Sequence, residues 1–342
     1  MLIDLRSDTV TLPSKAMLQA MVNAPLGDDV FGEDTSVIAL EKKVATLFDK
    51  PSALFFPSGT MANQAAIHAQ IKPRQEIICD RHSHIYLYEG GGLAFHSGLS
   101  TCLIEGNRGR LTAAQIEANI RPHNDYSPVT SIVAIENTHN RGGGSIYSLE
   151  EIKNIYTLCR KKGLKLHLDG ARIFNAITAS DYSAAEIGRY FNTLSVCLSK
   201  GLGAPVGSVV VMDGDLEHEM RKVRKVMGGG MRQAGVLAAA GLYALEHNIS
   251  KLRDDHRRAK ELESGLNDLP MVQNVLPVMT NIVVTQLRDD VDLNGFIRDL
   301  EEKGIKTVAF GPQAVRMVTH LDFTDEMLEY ALEVFEKIGK KY

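Results

Sequence analysis

A lysine at the end of a short apolar stretch is the first residue in this sequence whose position could support chemistry. Residues Leu194–Leu198 are typical of a buried strand, and Lys200 follows them just before a glycine-rich turn. A second stretch of this kind, Leu164–Leu168, ends on Asp169. Ligands of α/β sheets bind at the carboxyl ends of the strands, so both side chains are expected at one edge of a sheet. Lys200 alone would also fit an ordinary solvated turn.

A lysine and an aspartate at two strand ends are the groups that a pyridoxal phosphate site requires. The lysine amine forms a Schiff base with the aldehyde of the cofactor. The carboxylate keeps the pyridine nitrogen protonated, so that the ring can accept electrons. The pair therefore predicts pyridoxal 5'-phosphate as the cofactor, with Lys200 and Asp169 as catalytic residues.

A turn before a predicted helix could hold the cofactor phosphate. Residues Ala53–Phe56 predict a strand, and Ser58, Gly59 and Thr60 then open a helix. The first amides of a helix have no internal partner and carry the positive end of its dipole, which favours a bound phosphate. A simpler interpretation is that Ser58 or Thr60 only caps the helix.

Two histidines on a loop raise the question of zinc. His82 and His84, taken with Glu89, do not have the spacing of a known zinc ligand set. Histidines two residues apart on a loop are more often surface residues. We therefore predict no metal site here.

Composition limits the class of protein. The 342 residues are 44% hydrophobic and 23% charged, which suits one large globular domain with a smaller one. A net charge of −4 argues against nucleic acid as a partner. Residues 1–8 lack the features of a signal peptide, no apolar run could span a membrane, and four well-separated cysteines are expected as buried thiols. A cytoplasmic protein without a membrane partner is predicted.

The middle of the chain gives the clearest topology. A strand at Ser131–Ile135 precedes a helix that begins with a capping box at Ser148–Glu151, and the strand ending at Asp169 follows. Strand, helix and strand at this spacing predict a parallel pair. Asn137 and His139 should then open on the same sheet edge as Asp169.

Three regions are predicted from the order of elements: an amino-terminal arm (1–30), a large cofactor-binding domain (31–250) and a small carboxyl domain (251–342). A continuous helix from residue 233 to about residue 266 is expected to link the domains. The small domain should be α+β, because strands and helices alternate in it. The predicted elements are strands at Asn281–Leu287 and Ala314–Thr319, and helices at Leu293–Lys303 and Thr324–Lys341.

Eight segments together resemble the low-specificity threonine aldolases. They are Asp4–Thr11, Gly27–Val30, Ser58–Asn63, Glu136–Asn140, His167–Arg172, Cys197–Ser208, Gly228–Gln233 and Arg316–Asp322. Each motif is weak alone, but they occur in order over nearly the whole chain. The resemblance implies an α/β fold, the pyridoxal-phosphate-dependent transferase fold type I, with a mainly parallel mixed sheet flanked by helices and a small α+β carboxyl domain.

The resemblance implies retro-aldol cleavage of L-threonine or L-allo-threonine to glycine and acetaldehyde through an external aldimine of the cofactor. Lys200 would hold the cofactor and release it to the substrate amine, and Asp169 would pair with the pyridinium nitrogen. His84 would stack on the ring and is the leading candidate for the base near the substrate hydroxyl, because imidazole titrates near neutrality. The phosphate would be bound at Ser58–Thr60.

The resemblance also implies substrate contacts and a shared site. Arg172, which also belongs to the cofactor site, and Arg316 would hold the substrate carboxylate together with Ser7, since guanidinium offers two parallel donors. Arg232 and Lys225 would reach the phosphate of a neighbouring subunit. The protein is therefore expected to be a homo-oligomer, a dimer or a homotetramer, with shared active sites.

Two residues depart from the family pattern. The resemblance places Tyr126, a candidate catalytic residue, where many members have a second histidine near the substrate hydroxyl. It places Phe31, a candidate substrate-binding residue, where tyrosine is frequent, so the lost hydroxyl would alter substrate contacts near the cofactor. A tyrosine hydroxyl can donate a hydrogen bond but is a poor base at neutral pH. The preference between threonine and allo-threonine, and the choice of base among His84, Tyr126 and a phosphate-bound water, stay open.

Two other functions would share parts of this site. A β-eliminating lyase or an aminotransferase on the same fold would also use Lys200 and Asp169, and would differ in its products. A non-catalytic pyridoxal phosphate carrier or regulatory protein is the alternative from another class.

Overall fold

The computed structural model describes residues 1–342. The strands are β1 (Ile3–Asp4), β2 (Ser52–Phe56), β3 (Gln75–Asp80), β4 (Ser100–Ile104), β5 (Val129–Glu136), β6 (Lys165–Gly170), β7 (Thr193–Cys197), β8 (Ser208–Met212), β9 (Val272–Val275), β10 (Ile282–Leu287), β11 (Ile305–Lys306), β12 (Val308–Ala309) and β13 (Ala314–Val318). The α-helices are α1 (Lys15–Val22), α2 (Thr35–Leu47), α3 (Gly59–His68), α4 (His84–Leu87), α5 (Gly92–Ser97), α6 (Ala113–Asn119), α7 (Leu149–Lys162), α8 (Ile173–Thr178), α9 (Ala184–Gly188), α10 (Glu217–Val226), α11 (Gly235–His247), α12 (Leu252–Asn267), α13 (Leu293–Glu302) and α14 (Asp325–Gly339).

Seven strands form the main sheet in the order β2-β8-β7-β6-β5-β3-β4. Strand β8 runs antiparallel to both neighbours, and every other adjacent pair is parallel. The predicted mainly parallel mixed sheet is thus confirmed, including the parallel pair β5–β6. In this arrangement the carboxyl ends of β3, β5, β6 and β7 meet at one edge.

The register of these strands brings the predicted residues to that edge. Glu136 at the end of β5 lies opposite Asp169 in β6, which in turn lies opposite Ser195 in β7. The backbone amide of Asn137 donates to the carbonyl oxygen of Asp169 at 2.9 Å, so the pairing continues past β5. The chain reaches Lys200 shortly after β7.

Helix α7 shows how local signals fix the connection between β5 and β6. Its capping box is present, with Ser148 and Glu151 each bonding the backbone amide of the other. Gly163 ends the helix with φ 69°, a left-handed conformation that favours glycine. Four apolar residues bury one face against the sheet: Ile152, Ile155, Leu158 and Cys159.

The amino-terminal arm contacts elements on both sides of residue 250. Strand β1 pairs with β11 of the carboxyl region, and α1, capped by Ser14, packs against α11. The arm also leaves several large apolar side chains exposed: Leu12, Leu18, Val22 and Leu26. Within this chain the predicted arm thus packs on elements of both the main sheet's helices and the carboxyl region.

The long linking helix predicted for 233–266 is wrong, because the chain breaks between α11 and α12. Asn248 ends α11 and is buried, and its side-chain Nδ2 donates to the carbonyl oxygen of Leu202 at 2.8 Å. Asparagine side chains that bond to the backbone compete with helix continuation. The proposed domain boundary at residue 250 falls in this break.

The carboxyl region has its own sheet and core. Strands β12-β13-β10-β9 form an antiparallel sheet, and the two strands and two helices predicted here are found within one or two residues. Helices α12, α13 and α14 pack with this sheet around a core that also takes up Ile3 and Leu5 of the arm.

All four cysteines are free and buried, as expected for structural thiols. Among the helices of this structure none combines the length and the apolar character that crossing a bilayer requires.

Candidate active site

A cavity of about 430 Å³ lies at the carboxyl edge of the main sheet, where the carboxyl region faces it. Five predicted residues line it: Ser7, His84, Arg172, Lys200 and Arg316. The remaining polar and aromatic lining includes Tyr88, Asn140, Arg141 and Phe310, which were not predicted. One chain therefore assembles a lysine, a histidine and three arginines around one space.

Lys200 is presented by a tight loop after β7. The loop is held by backbone bonds from Gly203 N to the Lys200 oxygen (2.8 Å) and from Ala204 N to the Leu198 oxygen (3.1 Å). Gly203 has φ 75°, so a glycine is favoured at this turn. No carboxylate lies within ion-pair distance of the Lys200 amine, which is therefore available to a ligand.

Asp169 is a buried carboxylate without a protein cation. Its Oδ2 accepts from Asn63 Nδ2 at 2.9 Å, and its Oδ1 accepts from the backbone amide of Ala171 at 3.1 Å. Burying a charge is costly unless it is paired. The arrangement thus fits a ligand that brings a positive charge, such as a protonated pyridine nitrogen.

His84 begins α4 and is fixed from two sides. Its backbone amide donates to Glu136 Oε2 at 2.8 Å, and its ring Nδ1 lies 2.9 Å from Glu89 Oε1. Burial lowers the pKa of His84, but the hydrogen bond to Glu89 and the charges of Asp169 and Glu136 outweigh it and raise that pKa above its usual value.

The two predicted carboxylate-binding arginines differ in their partners. Arg172 donates from Nε and Nη2 to both carboxylate oxygens of Asp8, at 2.7 Å each. Arg316 bonds only neutral acceptors, Asn140 Oδ1 at 3.0 Å and the Arg6 oxygen at 2.9 Å, and its buried Nε has no acceptor. Burial, and then the charge of Arg172, lower the pKa of Arg316 to about 10. Arg316 is therefore an uncompensated cation that suits an anionic ligand.

The Ser58–Thr60 turn adjoins the end of β7. Ser58 caps α3, its hydroxyl oxygen accepting from Met61 N at 3.1 Å. A side chain at Gly59 would lie 2.8 Å from the sulfur of Cys197, so only glycine lets the helix end approach the strand so closely. Phosphate binding by the free amides of this turn stays a prediction.

Comparison with known proteins identifies the family. A sequence model described as beta-eliminating lyase matches residues 4–290. The probable low-specificity L-threonine aldolase 2 of Arabidopsis thaliana is 41% identical over 98% of this chain and 97% of its own length. The low specificity L-threonine aldolase of Escherichia coli (strain K12) is 39% identical, with 96% of each chain covered.

The chain belongs to the low-specificity L-threonine aldolase family. The fold agrees: a solved threonine aldolase of Leishmania major superposes with a TM-score of 0.88 at 20% identity, covering 98% of this chain and 99% of that one. The architecture is the predicted fold type I.

Asp169 and the Ser58–Thr60 turn do not line the cavity but lie at the same edge of the sheet. Four other predicted residues lie on the exposed surface of the chain, away from the cavity: Phe31, Tyr126, Lys225 and Arg232. Phe31 is 73% exposed and lies 5.8 Å from the guanidinium of Arg232, which pairs with Asp28. Lys225 is exposed in the last turn of α10. Roles for Phe31, Arg232 and Lys225 require a second copy of the chain and stay predictions.

Tyr126 is the clearest departure. It is 89% exposed and precedes β5, beside the residues that begin β3. Strand β5 rises about 3.3 Å per residue, so its two ends are roughly 25 Å apart. Tyr126 therefore lies at the sheet edge away from Lys200, and the expected contact with the substrate hydroxyl is not made within one chain.

His139 lies at the predicted edge but behind the cavity. It is buried, with Nε2 3.4 Å from Asp80 Oδ1 and Nδ1 accepting from Gly142 N at 3.0 Å. A side chain on Gly109 would collide with its ring. This histidine shapes the loop after β5 and does not line the site.

The structure also separates the histidines of the zinc alternative. His82 is exposed, whereas His84 turns to Glu89 and Asp169, and the ligand atoms of these three residues lie within 4.8 Å of one another. Side-chain amides already hydrogen-bond both carboxylates. The set His82, His84 and Glu89 is thus not assembled.

Besides the four unpredicted residues of the cavity lining, sequence reasoning missed the partners of three predicted residues: Asp8, Asn63 and Glu89. Each is buried and bonds a predicted residue: Asp8 bonds Arg172, Asn63 bonds Asp169, and Glu89 bonds His84. All three lie in stretches already singled out, but nothing in their spacing shows which partner each would meet.

Proposed function

We propose that this chain is a pyridoxal-phosphate-dependent aldehyde-lyase that cleaves L-threonine and L-allo-threonine to glycine and acetaldehyde. The observation that carries the proposal is the meeting of an unpaired lysine and an unpaired buried aspartate on the same sheet edge, beside a free arginine. Membership of the low-specificity L-threonine aldolase family supports it over other activities on this fold.

The residues present fit the cofactor. Lys200 offers a free amine for its aldehyde, and Asp169 offers an uncompensated carboxylate for its ring nitrogen. The free amides at Ser58–Thr60 suit its phosphate, and His84 suits a place against its ring. When bound, pyridoxal phosphate supplies an electron sink for the pair released on Cα–Cβ cleavage.

The chain's own residues would orient the substrate. Arg316, assisted by the donors of Arg172 that Asp8 leaves free and by the Ser7 hydroxyl, would bind the α-carboxylate. A carboxylate held by fixed donors cannot rotate freely, so the Cα–Cβ bond is kept in one orientation. Arg141, which no carboxylate pairs, adds positive potential to the same space.

His84 is the proposed base for the β-hydroxyl proton. Its Nδ1 is engaged by Glu89, which leaves Nε2 to face a ligand in the cavity. Breaking the Cα–Cβ bond converts the hydroxyl-bearing carbon to an aldehyde and requires loss of that proton. Tyr126 of a neighbouring copy or a phosphate-bound water would be the alternatives.

We further propose a cytoplasmic homo-oligomer, a dimer or a tetramer, whose active sites are shared between copies. The support is a set of exposed side chains that one chain does not use: Phe31, Tyr126, Lys225, Val226 and Arg232. Large exposed apolar side chains beside cations are typical of protein interfaces.

The first experiment is a visible spectrum of the purified protein, followed by assay of glycine and acetaldehyde from both threonine isomers. A yellow protein that forms both products, with an inactive Lys200→Ala variant, supports the proposal. Ammonia or a keto acid as product would instead favour a β-eliminating lyase or an aminotransferase. A colourless protein that does not respond to added pyridoxal phosphate would refute the cofactor assignment.

A further inference from the structure

Glu89 is a buried carboxylate that the mechanism above does not use directly. It lies on the loop after α4, 5% exposed, and no lysine or arginine pairs with it. Its Oε1 accepts from Asn63 Nδ2 at 2.9 Å and lies 2.9 Å from His84 Nδ1, and its Oε2 accepts from Gln64 Nε2 at 2.5 Å. Two side-chain amides and the imidazole ring therefore converge on one carboxylate beside the active site.

Asn63 holds Glu89 and Asp169 with a single amide. Its Nδ2 lies 2.9 Å from Glu89 Oε1 and 2.9 Å from Asp169 Oδ2. Its Oδ1 accepts from Ser195 Oγ at 2.6 Å. The opposite orientation of the amide would place its oxygen against two carboxylates, so the hydrogen-bond network fixes the orientation shown.

Further hydrogen bonds, away from the cavity, hold Asn63 in place. His167 Nε2 lies 3.2 Å from Asn63 Oδ1, and its Nδ1 lies 2.8 Å from Thr193 Oγ1, which accepts from Gln70 Nε2 at 2.7 Å. Full burial lowers the pKa of His167 to about 4, so this ring is neutral at physiological pH. A neutral His167 ring can donate from Nε2 to Asn63 Oδ1 and accept at Nδ1 from Thr193 Oγ1. The Asn63 oxygen then accepts, and its Nδ2 donates only to the two carboxylates.

We propose that Glu89, held by Asn63 and Gln64, is a positioning residue that fixes His84 with its proton on Nδ1 and leaves Nε2 as the basic atom facing the cavity. The proposal rests on the function given above, since it assigns the atom that accepts the β-hydroxyl proton. The Asn63 amide that orients Glu89 also hydrogen-bonds Asp169, so one side chain positions both carboxylates.

The charges around His84 come from several elements. The acidic ones are Glu89, Asp169 at the end of β6 and Glu136 at the end of β5. The cavity adds Lys200, Arg172 and Arg316, and the phenol ring of Tyr88 lies 5.7 Å from the imidazole. Among these three acids only Glu89 bonds the imidazole ring. Removing its charge should therefore change the pKa of His84 more than removing the charge of Asp169 or Glu136.

The first readout is histidine ¹⁵N NMR on the cofactor-free protein, with His84 assigned by the His84→Asn variant. We expect the Nδ1-protonated tautomer in the native chain. In Glu89→Gln we expect the pKa of His84 to fall by about one unit, since an adjacent opposite charge shifts a pKa by about 1–3 units. An Nε2-protonated tautomer in the native chain would overturn the proposal without any Glu89 variant, and even if the chain proves not to be an aldolase.

The second readout is the pH profile of kcat/KM for the holoenzyme. Activity should rise as His84 loses its proton, so the acid limb should move to lower pH by about one unit in Glu89→Gln, with at least a roughly tenfold loss on the plateau. Glu89→Asp, which keeps the charge, should keep the limb near its native position. A lower rate with an unmoved limb in Glu89→Gln would mean a purely structural role and would overturn the proposal.

Glu76→Gln is the matched control. Like Glu89, Glu76 is a buried glutamate with hydrogen-bond partners, here Arg121 and Thr130, but it lies at the amino end of β3, away from the site. It should alter stability without moving the acid limb. A stoichiometric metal on His84 in the purified protein, with activity lost on chelation, would also overturn the proposal, because the ring would then be a ligand.

Discussion

At the scale of single residues, charge pairing separates the two arginines of the site. Asp8 neutralises Arg172 in a buried bidentate pair, whereas Arg316 meets only neutral acceptors. A ligand carboxylate therefore gains more from Arg316, whose charge is otherwise uncompensated in a partly dry space. Arg172 is held in place by Asp8, so only the donors that this pair leaves free can assist Arg316.

Replacing Arg316 should weaken binding of the substrate carboxylate. For Arg316→Ala we expect kcat/KM to fall by about 10- to 150-fold, the value of a charged hydrogen bond of about 1.5–3 kcal/mol. Arg316→Lys keeps the charge but loses the two parallel donors, so it should recover only part of the activity. Steady-state kinetics with L-threonine measures both. An unchanged kcat/KM in Arg316→Ala would place the carboxylate elsewhere.

Asp8 should make stability depend on pH in the acid range. Burial raises the pKa of Asp8, but the charge and hydrogen bonds of Arg172, together with the charge of Lys200, outweigh it and lower that pKa to about 2. A lowered folded-state pKa stabilises the fold above the unfolded-state value near 4, and this stability is lost as the pH falls towards 2. Its size is on the order of 2 kcal/mol.

Urea unfolding of the native chain and of Asp8→Asn at several pH values tests this. At pH 7 the variant should be less stable by about 3–5 kcal/mol, since it leaves a buried guanidinium unpaired. The difference should narrow between pH 4 and 2, as the native carboxyl takes up its proton. A difference that does not change over this range would contradict the assignment.

At the scale of elements, the break between α11 and α12 serves the site. Asn248 caps the break and donates to the Leu202 carbonyl oxygen, which belongs to the loop that presents Lys200. The interruption of the helix at Asn248 therefore holds the loop that carries Lys200 in place. Helix α7 differs, because its ends are fixed by its own capping residues and it serves only to connect β5 with β6.

Asn248→Ala should therefore lower both stability and activity. It leaves the buried Leu202 carbonyl without a donor, at a cost of about 1–3 kcal/mol. Ser148→Ala is the control, because it removes the cap of α7 at a cost of about 1 kcal/mol and touches no part of the Lys200 loop. Unfolding curves and kcat should change together in Asn248→Ala, and only the unfolding curve in Ser148→Ala. Equal loss of kcat in both would show that the loop does not depend on Asn248.

At the scale of the whole molecule, the proposal of a shared site rests on predicted residues that one chain leaves outside its cavity. Phe31 and Arg232 contact each other, and Lys225 lies nearby beside Gly230, all on an exposed surface. Symmetric oligomers commonly build a site from two copies of one surface. A second copy of the chain would also be needed to bring Tyr126 to a substrate.

A mixing experiment tests whether sites are shared. Lys200→Ala and Arg232→Ala should each be nearly inactive alone. After unfolding and refolding together, about half of the dimers are mixed and one of the two sites in each is native, so about a quarter of native activity should return. Recovery of no activity, with mixed dimers shown by mass spectrometry, would mean that Arg232 serves its own chain.

The sequence by itself determined the chemistry and the fold class. Lys200 follows an apolar strand and Asp169 lies near the end of another, and a residue's place at the end of a strand is a local property of the sequence. Capping boxes and glycines likewise marked α7 and the turns around it, because these signals act within a few residues.

Only the tertiary structure decided which side chains are partners. The pairing of Asp8 with Arg172 joins residues far apart in the chain, and so does the pairing of Asn63 with Asp169. Tyr126 lies ten residues before Glu136, yet an intervening strand carries it to the opposite edge of the sheet. Contacts of this kind follow from strand order and register, which depend on the packing of the whole core, so no local pattern contains them.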